Sequence, residues 1–202
     1  MLKALALNPK CAIMYADLFV IRKTGKYGKG LFATRSVPRG TIVCFWCKKC
    51  GTYSKEELAK LSKKKLDFVI EHEEKAGPGL LSKACDRRQQ YINHSCNPKI
   101  LETGEIGDIV VKDIGKGEEA TEDYRIFYGK IYFKRYFKNG CKCGEPNCAK
   151  MKLLAQPTTA KLRRHWKKEI NAALRSIPYV KQPLKREILK EHPELSKYFK
   201  KS

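Results

Sequence analysis

Short apolar runs alternate with glycine, proline and charge through most of the chain, and helical spacing enters clearly only near its end. Leu18, Phe19, Val20 and Ile21, bounded by charge, predict a strand over Tyr15 to Arg22. Thr24 to Gly30 reads as a glycine-spaced turn, and Leu31 to Ala33 resumes an extended run. Pro38-Arg39-Gly40 reads as a turn and Thr41 to Trp46 as another β stretch. Ser54-Lys55-Glu56-Glu57 is a capping-box pattern, predicting a helix that runs towards Asp67. Gly77-Pro78-Gly79 reads as a loop, Asp108 to Lys112 as a short strand, and Glu119 to Tyr124 as a segment leading into a turn. From Pro157 onward, Leu162, Trp166, Ile170 and Leu174 recur every four residues, so one helix face is apolar. Pro178 ends that helix. Pro183 opens another, with Leu184, Ile188 and Leu189 on its apolar side.

This pattern predicts a β-rich domain with few helices to about residue 150, then a helical extension. At 202 residues the chain can bury a sizeable core and carry an appendage. No apolar run approaches membrane-spanning length, so no membrane partner is expected. The opening Met1 to Pro9 is too short and too soon broken for a signal peptide. Nine cysteines are an odd number. With their close spacings they favour reduced, metal-binding thiols in an intracellular protein over a disulfide framework.

Charge sharpens the picture. The chain holds 43 Lys+Arg against 21 Asp+Glu, a formal net charge of +22. Residues 157–202 alone hold 13 Lys+Arg and 4 Asp+Glu, a net +9. Such a balance predicts attraction to polyanions, chiefly nucleic acid or an anionic membrane surface. A merely solubilising lysine-rich surface is the competing reading.

The chemistry concentrates in Tyr91-Ile92-Asn93-His94-Ser95-Cys96-Asn97-Pro98, a polar run without helical or strand periodicity. Some 45 residues later stands Cys141-x-Cys143-x4-Cys148. Three thiols are one short of a tetrahedral site, and Cys96 is the candidate fourth ligand. A closed four-thiolate site of this kind is a structural zinc site.

Four signatures stand in order: Gly28-Lys29-Gly30-Leu31-Phe32-Ala33 followed by Arg39-Gly40; Asn93 to Pro98; Gly117-Glu118-Glu119-Ala120-Thr121-Glu122-Asp123-Tyr124; and Cys141 to Cys148. Over about residues 16–150 the chain resembles the SET-domain protein lysine methyltransferases, with the cysteine knuckle that follows the domain in many members. The resemblance implies a mainly β (β-rich α+β) fold of the SET β-clip type. In its pseudoknot, the segment of Asn93 to Pro98 is crossed by the one approaching Tyr124. It implies residues 16–128 as the catalytic domain and 129–150 as the zinc knuckle; residues 1–15 are left as an N-terminal segment, and 151–202, beyond the resemblance, read as a basic helical extension. It implies S-adenosylmethionine as cofactor and a protein lysine side chain as substrate. Tyr124 matches the catalytic tyrosine, whose hydroxyl would orient the amine and the methyl-bearing sulfonium. Lys29, Gly30, Leu31, Asn93 and His94 match cofactor-binding positions, together with Tyr124. Cys96, Cys141, Cys143 and Cys148 would hold the zinc, and Glu122 and Tyr91 would line the lysine channel.

The chemistry is consistent with these residue types. Methyl transfer is an in-line displacement by a neutral amine, whose free pKa is about 10.4. An apolar channel and a nearby sulfonium lower that value, and the remaining work is positioning. Neither a catalytic metal nor a covalent intermediate is called for.

The chain also departs from the family. Glu122 stands where Tyr or Phe is usual, and its carboxylate either lines the channel or turns outward. Gln90, Lys99 and Ala149-Lys150 are lesser departures. Cys44-x2-Cys47-x2-Cys50 lies outside the pattern. It reads either as a second metal site, completed by Cys85 or Cys11, or as small apolar residues on a strand and its following turn.

A chain charged +22 should repel a free lysine-rich tail and be drawn to one presented on DNA. The expected substrate is thus histone-like or otherwise DNA-associated, and the location nuclear or chromatin-associated if the source is eukaryotic or viral, otherwise cytoplasmic. Two alternatives stand beside this reading: a non-catalytic zinc and nucleic-acid-binding module on the same fold, and a methyltransferase of a non-histone protein such as a ribosomal one.

Overall fold

The computed structural model describes residues 11–14, 16–26, 28–47, 53–72, 75–77, 80–81, 88–126, 137, 140–148 and 159–201. Among these residues ten strands form: β1 (Cys11–Met14), β2 (Phe19–Thr24), β3 (Gly28–Ala33), β4 (Ile42–Cys47), β5 (Lys75–Gly77), β6 (Leu80–Leu81), β7 (Asn93–His94), β8 (Ile100–Glu102), β9 (Gly107–Val110) and β10 (Glu119–Glu122). Four α-helices are described with them: α1 (Lys55–Ala59), α2 (Lys63–His72), α3 (Ala160–Ser176) and α4 (Lys185–Glu191). The main sheet runs β1-β4-β9-β8-β10-β3-β2, with β7 beside β10, while β5 and β6 pair separately. This is the β-rich α+β fold expected, with its helical part at the C-terminal end.

β4 explains the layering. All six of its residues are buried, so the strand carries apolar side chains on both faces. Val43, Cys44 and Trp46 pack with Leu31, Ile92, Ile100, Val110 and Ala120 in one core cluster. Ile42 and Phe45 pack with Leu101, Ile109, Trp166, Ala173, Ile177 and Ile188 in a second. The first lies towards β3 and β10, the second beneath α3 and α4. A register shift between Ile42 and Cys44 in the pairing with β9 divides the strand between them.

The helical layer is pinned by polar groups as well as by apolar burial. The Gln182 amide nitrogen donates to Gly40 O at 2.7 Å, and its amide oxygen accepts from Ile42 N at 3.0 Å. The buried ring of His192 places Nε2 2.6 Å from Trp46 O. Gly40 has φ +90°, and a Cβ there would stand 2.6 Å from Ser176 Cβ, so only glycine lets the β3–β4 turn approach the end of α3.

Boundaries differ from expectation for local reasons. Ala16–Leu18 form a 3-10 turn instead of strand, and β2 continues past Arg22 to Thr24. It does so because Lys23 and Thr24 pair with Lys29 and Gly28, which makes residues 28–30 strand rather than turn. The Ser54 capping box forms, yet α1 stops at Ala59. Ser62 O then accepts from Lys65 N and Leu66 N, starting α2 as a second helix. β9 ends at Val110 because Val111 N and Lys112 N turn to Lys99 O. α3 starts at Ala160, capped by Thr159, and Pro178 falls in the 3-10 turn that follows it. Tyr15, Tyr27, Pro78, Gly79 and Pro157 lie outside the described residues.

Candidate functional site

β10 assembles the site. Its residues Thr121 and Glu122 pair in parallel with Asn93 and His94 of β7, and Glu122 also pairs with Ile100 of β8. On its other edge Glu119 and Ala120 pair with Phe32 and Leu31 of β3. Three distant stretches, residues 28–33, 93–98 and 119–124, therefore meet along one short strand. Ser95 N donates to Glu122 O at 2.8 Å and Lys99 N to Thr121 O at 3.1 Å, so the polar run is held against β10 at both ends.

Tyr124 follows β10 in a turn and is partly buried. Its hydroxyl donates to Ile92 O at 2.5 Å. Its backbone N–H donates to His94 Nδ1 at 3.1 Å. The His94 ring is buried, with Nε2 3.4 Å from Cys96 Sγ. Because Nδ1 accepts, the neutral ring carries its proton on Nε2, facing that sulfur. Phe137 packs edge-on to both His94 and Tyr124.

Asp123 is fully buried beside them. Arg125 holds it through Nε at 2.7 Å and Nη2 at 2.5 Å, a two-point carboxylate clamp. Burial opposes the Arg125 charge, but Asp123 and then Cys96 and Cys141 outweigh it and raise the guanidinium pKa. A cation thus lies beside two of the four clustered thiols.

The Sγ atoms of Cys96, Cys141, Cys143 and Cys148 all lie within 4.8 Å of one another. Cys96 and Cys148 Sγ are 3.9 Å apart, close to the ~3.8 Å edge of a tetrahedron with Zn–S of about 2.3 Å. This donor set can hold one tetrahedral metal ion. Glu145 ties the knuckle to the polar run, accepting from Ser95 Oγ and Asn97 Nδ2, each at 3.2 Å. Lys26 Nζ reaches across from the β2–β3 turn to Cys143 O at 3.1 Å. Burial pushes the Cys143 thiol up; a bound ion would reverse that by deprotonating it.

Near Gly30, Asn93 Nδ2 donates to Lys29 O at 2.9 Å and to Glu119 Oε1 at 2.7 Å. A Cβ at Gly30 would strike the Glu119 carboxylate and stand 2.8 Å from Asn93 Nδ2. Lys29, Gly30 and Asn93 are thus brought together, and Leu31 is buried behind them. Sequence reasoning missed Glu119, which it quoted as part of a motif without a task. It also missed Glu145. The signal for Glu119 was its place beside Ala120 in a strand: the alternation turns Ala120 to the core and Glu119 away from it.

Glu122 shares the inner face with Ala120 and is 8% exposed, so its carboxylate is buried and not turned to solvent. Tyr91 ends a 3-10 turn and packs on the first core cluster, with Lys29 Nζ 6.0 Å from its ring centroid. Cys44 and Cys47 are both buried, and their odd spacing on β4 turns them to opposite faces. Both fill small positions of the strand, Cys44 also hydrogen-bonding to Asp108, and among the described residues only the four-thiol cluster has metal-binding geometry. Cys50 and Cys85 lie outside the described residues, and no helix among those described is long and apolar enough to cross a membrane.

Comparison with known proteins follows the same geometry. Residues 28–125 match the family model described as SET domain, a stretch running from β3 to the residue after Tyr124. The chain is similar to a Candida albicans protein named "Histone-lysine N-methyltransferase, H3 lysine-36 specific", 37% identical over 70 aligned residues that cover 30% of this chain and 8% of the relative. It is similar to the Drosophila melanogaster "Histone-lysine N-methyltransferase trr", 29% identical over 138 residues covering 61% of this chain and 5% of that one. It is also similar to a Plasmodium falciparum "Variant-silencing SET domain-containing protein", 30% identical over 155 residues covering 66% and 6%. The chain therefore spans less than a tenth of each of these relatives.

Proposed function

From the premise that residues 28–125 are a SET domain, we propose that the protein is a protein-lysine N-methyltransferase using S-adenosylmethionine. Residues 16–128 are the catalytic unit, 129–150 the zinc knuckle and 151–202 an extension that braces the sheet from behind. The observation that carries this reading is the meeting of Lys29-Gly30-Leu31, Asn93-His94 and Tyr124 along β10, where three separate stretches converge.

The cofactor supplies a methyl group on a sulfonium centre. Gly30 makes room for the Glu119 and Asn93 side chains that close on it, while Asn93 and Lys29 offer polar groups for the cofactor's amino-acid end. The Glu119 carboxylate, oriented by the Asn93 amide N–H that donates to it, is an acceptor suited to an ammonium group. Tyr124, with its hydroxyl fixed on Ile92 O, orients the entering amine. Its role is positional, and good positioning can contribute on the order of 7 kcal/mol or more. Tyr91 and Glu122 border the lysine channel. The four thiolates of Cys96, Cys141, Cys143 and Cys148 would hold a zinc ion, which would fasten the knuckle to the polar run and take no part in the transfer.

The names of the Candida and Drosophila relatives favour a histone or another DNA-associated protein as substrate, and hence a nuclear location in a eukaryotic source. The test is a calorimetric titration with S-adenosylmethionine, followed by incubation of labelled cofactor with free histones, nucleosomes and a cell lysate. Cofactor binding with label recovered on lysine supports the reading. A folded protein that takes up no cofactor overturns it in favour of a non-catalytic module.

A further inference from the structure

The outer face of α3 is built to lie on a polyanion. At about 100° per residue, Lys161, Arg164, Lys168 and Arg175 fall within an arc of about 60° and extend for about 21 Å along the helix. All four are exposed. The sole carboxylate of α3, Glu169, is on its flank and is already paired with Arg39 at 3.2 Å. The ridge is therefore uninterrupted by negative charge from its own helix. The first turn holds basic residues and no acid, although the helix dipole disfavours cations at that end. Placing Lys161, Arg163 and Arg164 there costs helix stability, which an external anion would offset.

The other face of α3 decides between kinds of polyanion. Trp166 and Ala173 are buried in the second core cluster, with Leu162, Ile170 and Leu174 packed against it. A helix that lies in a membrane surface needs that apolar face free, and here the protein core occupies it. The ridge itself carries no aromatic side chain, so it lacks the stacking platform that single-stranded nucleic acid requires. A straight row of guanidinium and ammonium groups matches the phosphates of a duplex. The major groove of B-form DNA is wide enough to admit a helix face, whereas that of A-form RNA is deep and narrow.

We propose that Lys161, Arg164, Lys168 and Arg175 of α3 form a docking ridge for the phosphate backbone of duplex DNA, on the side of the sheet facing away from the first core cluster. The ridge acts without base readout, and its existence does not depend on methyl transfer. The experiment is fluorescence-anisotropy titration of the full chain with a labelled mixed-sequence duplex over a salt series. Replacing all four by glutamine should reduce the slope of log affinity against log salt by about 3.6, since each phosphate contact contributes about 0.9. The single substitutions R164Q and K168Q, at exposed sites where folding is little affected, should each remove about one. A control changing Lys55, Lys60, Lys63 and Lys64, all exposed on or beside α1 and α2, should leave the slope nearly unchanged. An equal loss in the control, or equally tight binding to single-stranded DNA, duplex RNA or anionic vesicles, would overturn the proposal.

Discussion

His94 Nδ1 accepts the backbone N–H of Tyr124 at 3.1 Å. The same ring turns Nε2 towards Cys96 Sγ, 3.4 Å away, so one imidazole links the knuckle thiols to the candidate catalytic tyrosine. Groups that hydrogen-bond to metal ligands are typically worth 10–100-fold in metal affinity. His94→Leu, of similar bulk, should therefore weaken zinc binding by about that factor, as read by chelator competition. Affinity equal to wild type would show that the ring only fills space.

Glu122 sits two residues before Tyr124 and is buried. An anion at that place holds an entering lysine in its ammonium form, which cannot attack. Glu122→Gln should therefore move the rising limb of the pH–rate profile for methyl transfer to lower pH. An unchanged profile would place the carboxylate away from the amine.

Asp108 supplies a pH signature of stability. Burial, then the Glu102 carboxylate, raise its pKa to about 7, against the opposing hydrogen bond from Cys44. The folded state thus keeps its proton where the unfolded state has lost it. Below about pH 4 both states are protonated and no penalty exists; the penalty grows as pH rises and is complete above about 7. Asp108→Asn, which stays neutral, should gain stability relative to wild type between pH 4.5 and 7.5 in denaturant melts. A pH-independent difference between the two would contradict this.

Trp166 anchors the helical layer in the second core cluster. Trp166→Ala should cost about 3–5 kcal/mol of unfolding free energy, measured by denaturant titration. A loss under about 1 kcal/mol would mean that Gln182 and His192 hold the layer without it.

Much of this fold is legible in the sequence because its signals are local. Ser54-x-x-Glu57 forms the capping box that the spelling predicts, and the four-residue spacing from Leu162 to Leu174 is the buried side of α3. What the sequence hides is pairing between distant segments. β7 is two residues long and exists only because β10 lies parallel to it, so no periodicity announces it. The same holds for residues 28–30, where glycine spelling suggests a turn but cross-strand partners extend β3. At the site, the four thiols are readable from their spacing and come together in space. Glu119 and Glu145 are not, since their partners Asn93, Ser95 and Asn97 are 26 to 50 residues away. At Cys44 and Cys47 the spacing left two readings open, and the strand turns the two thiols to opposite faces, as the small-residue reading has it.

The central claim is that the Tyr124 hydroxyl, resting on Ile92 O, aligns a lysine amine with a methyl donor in the cleft beside it. Tyr124→Phe removes that oxygen and little else. The most direct measurement compares wild type and Tyr124→Phe, each saturated with labelled S-adenosylmethionine, for label recovered on lysine in an acceptor protein. The account predicts equal cofactor affinity and a transfer rate at least about 100-fold lower in the variant, in line with loss of a group that acts in the transition state. Equal rates of lysine methylation by the two proteins would contradict it.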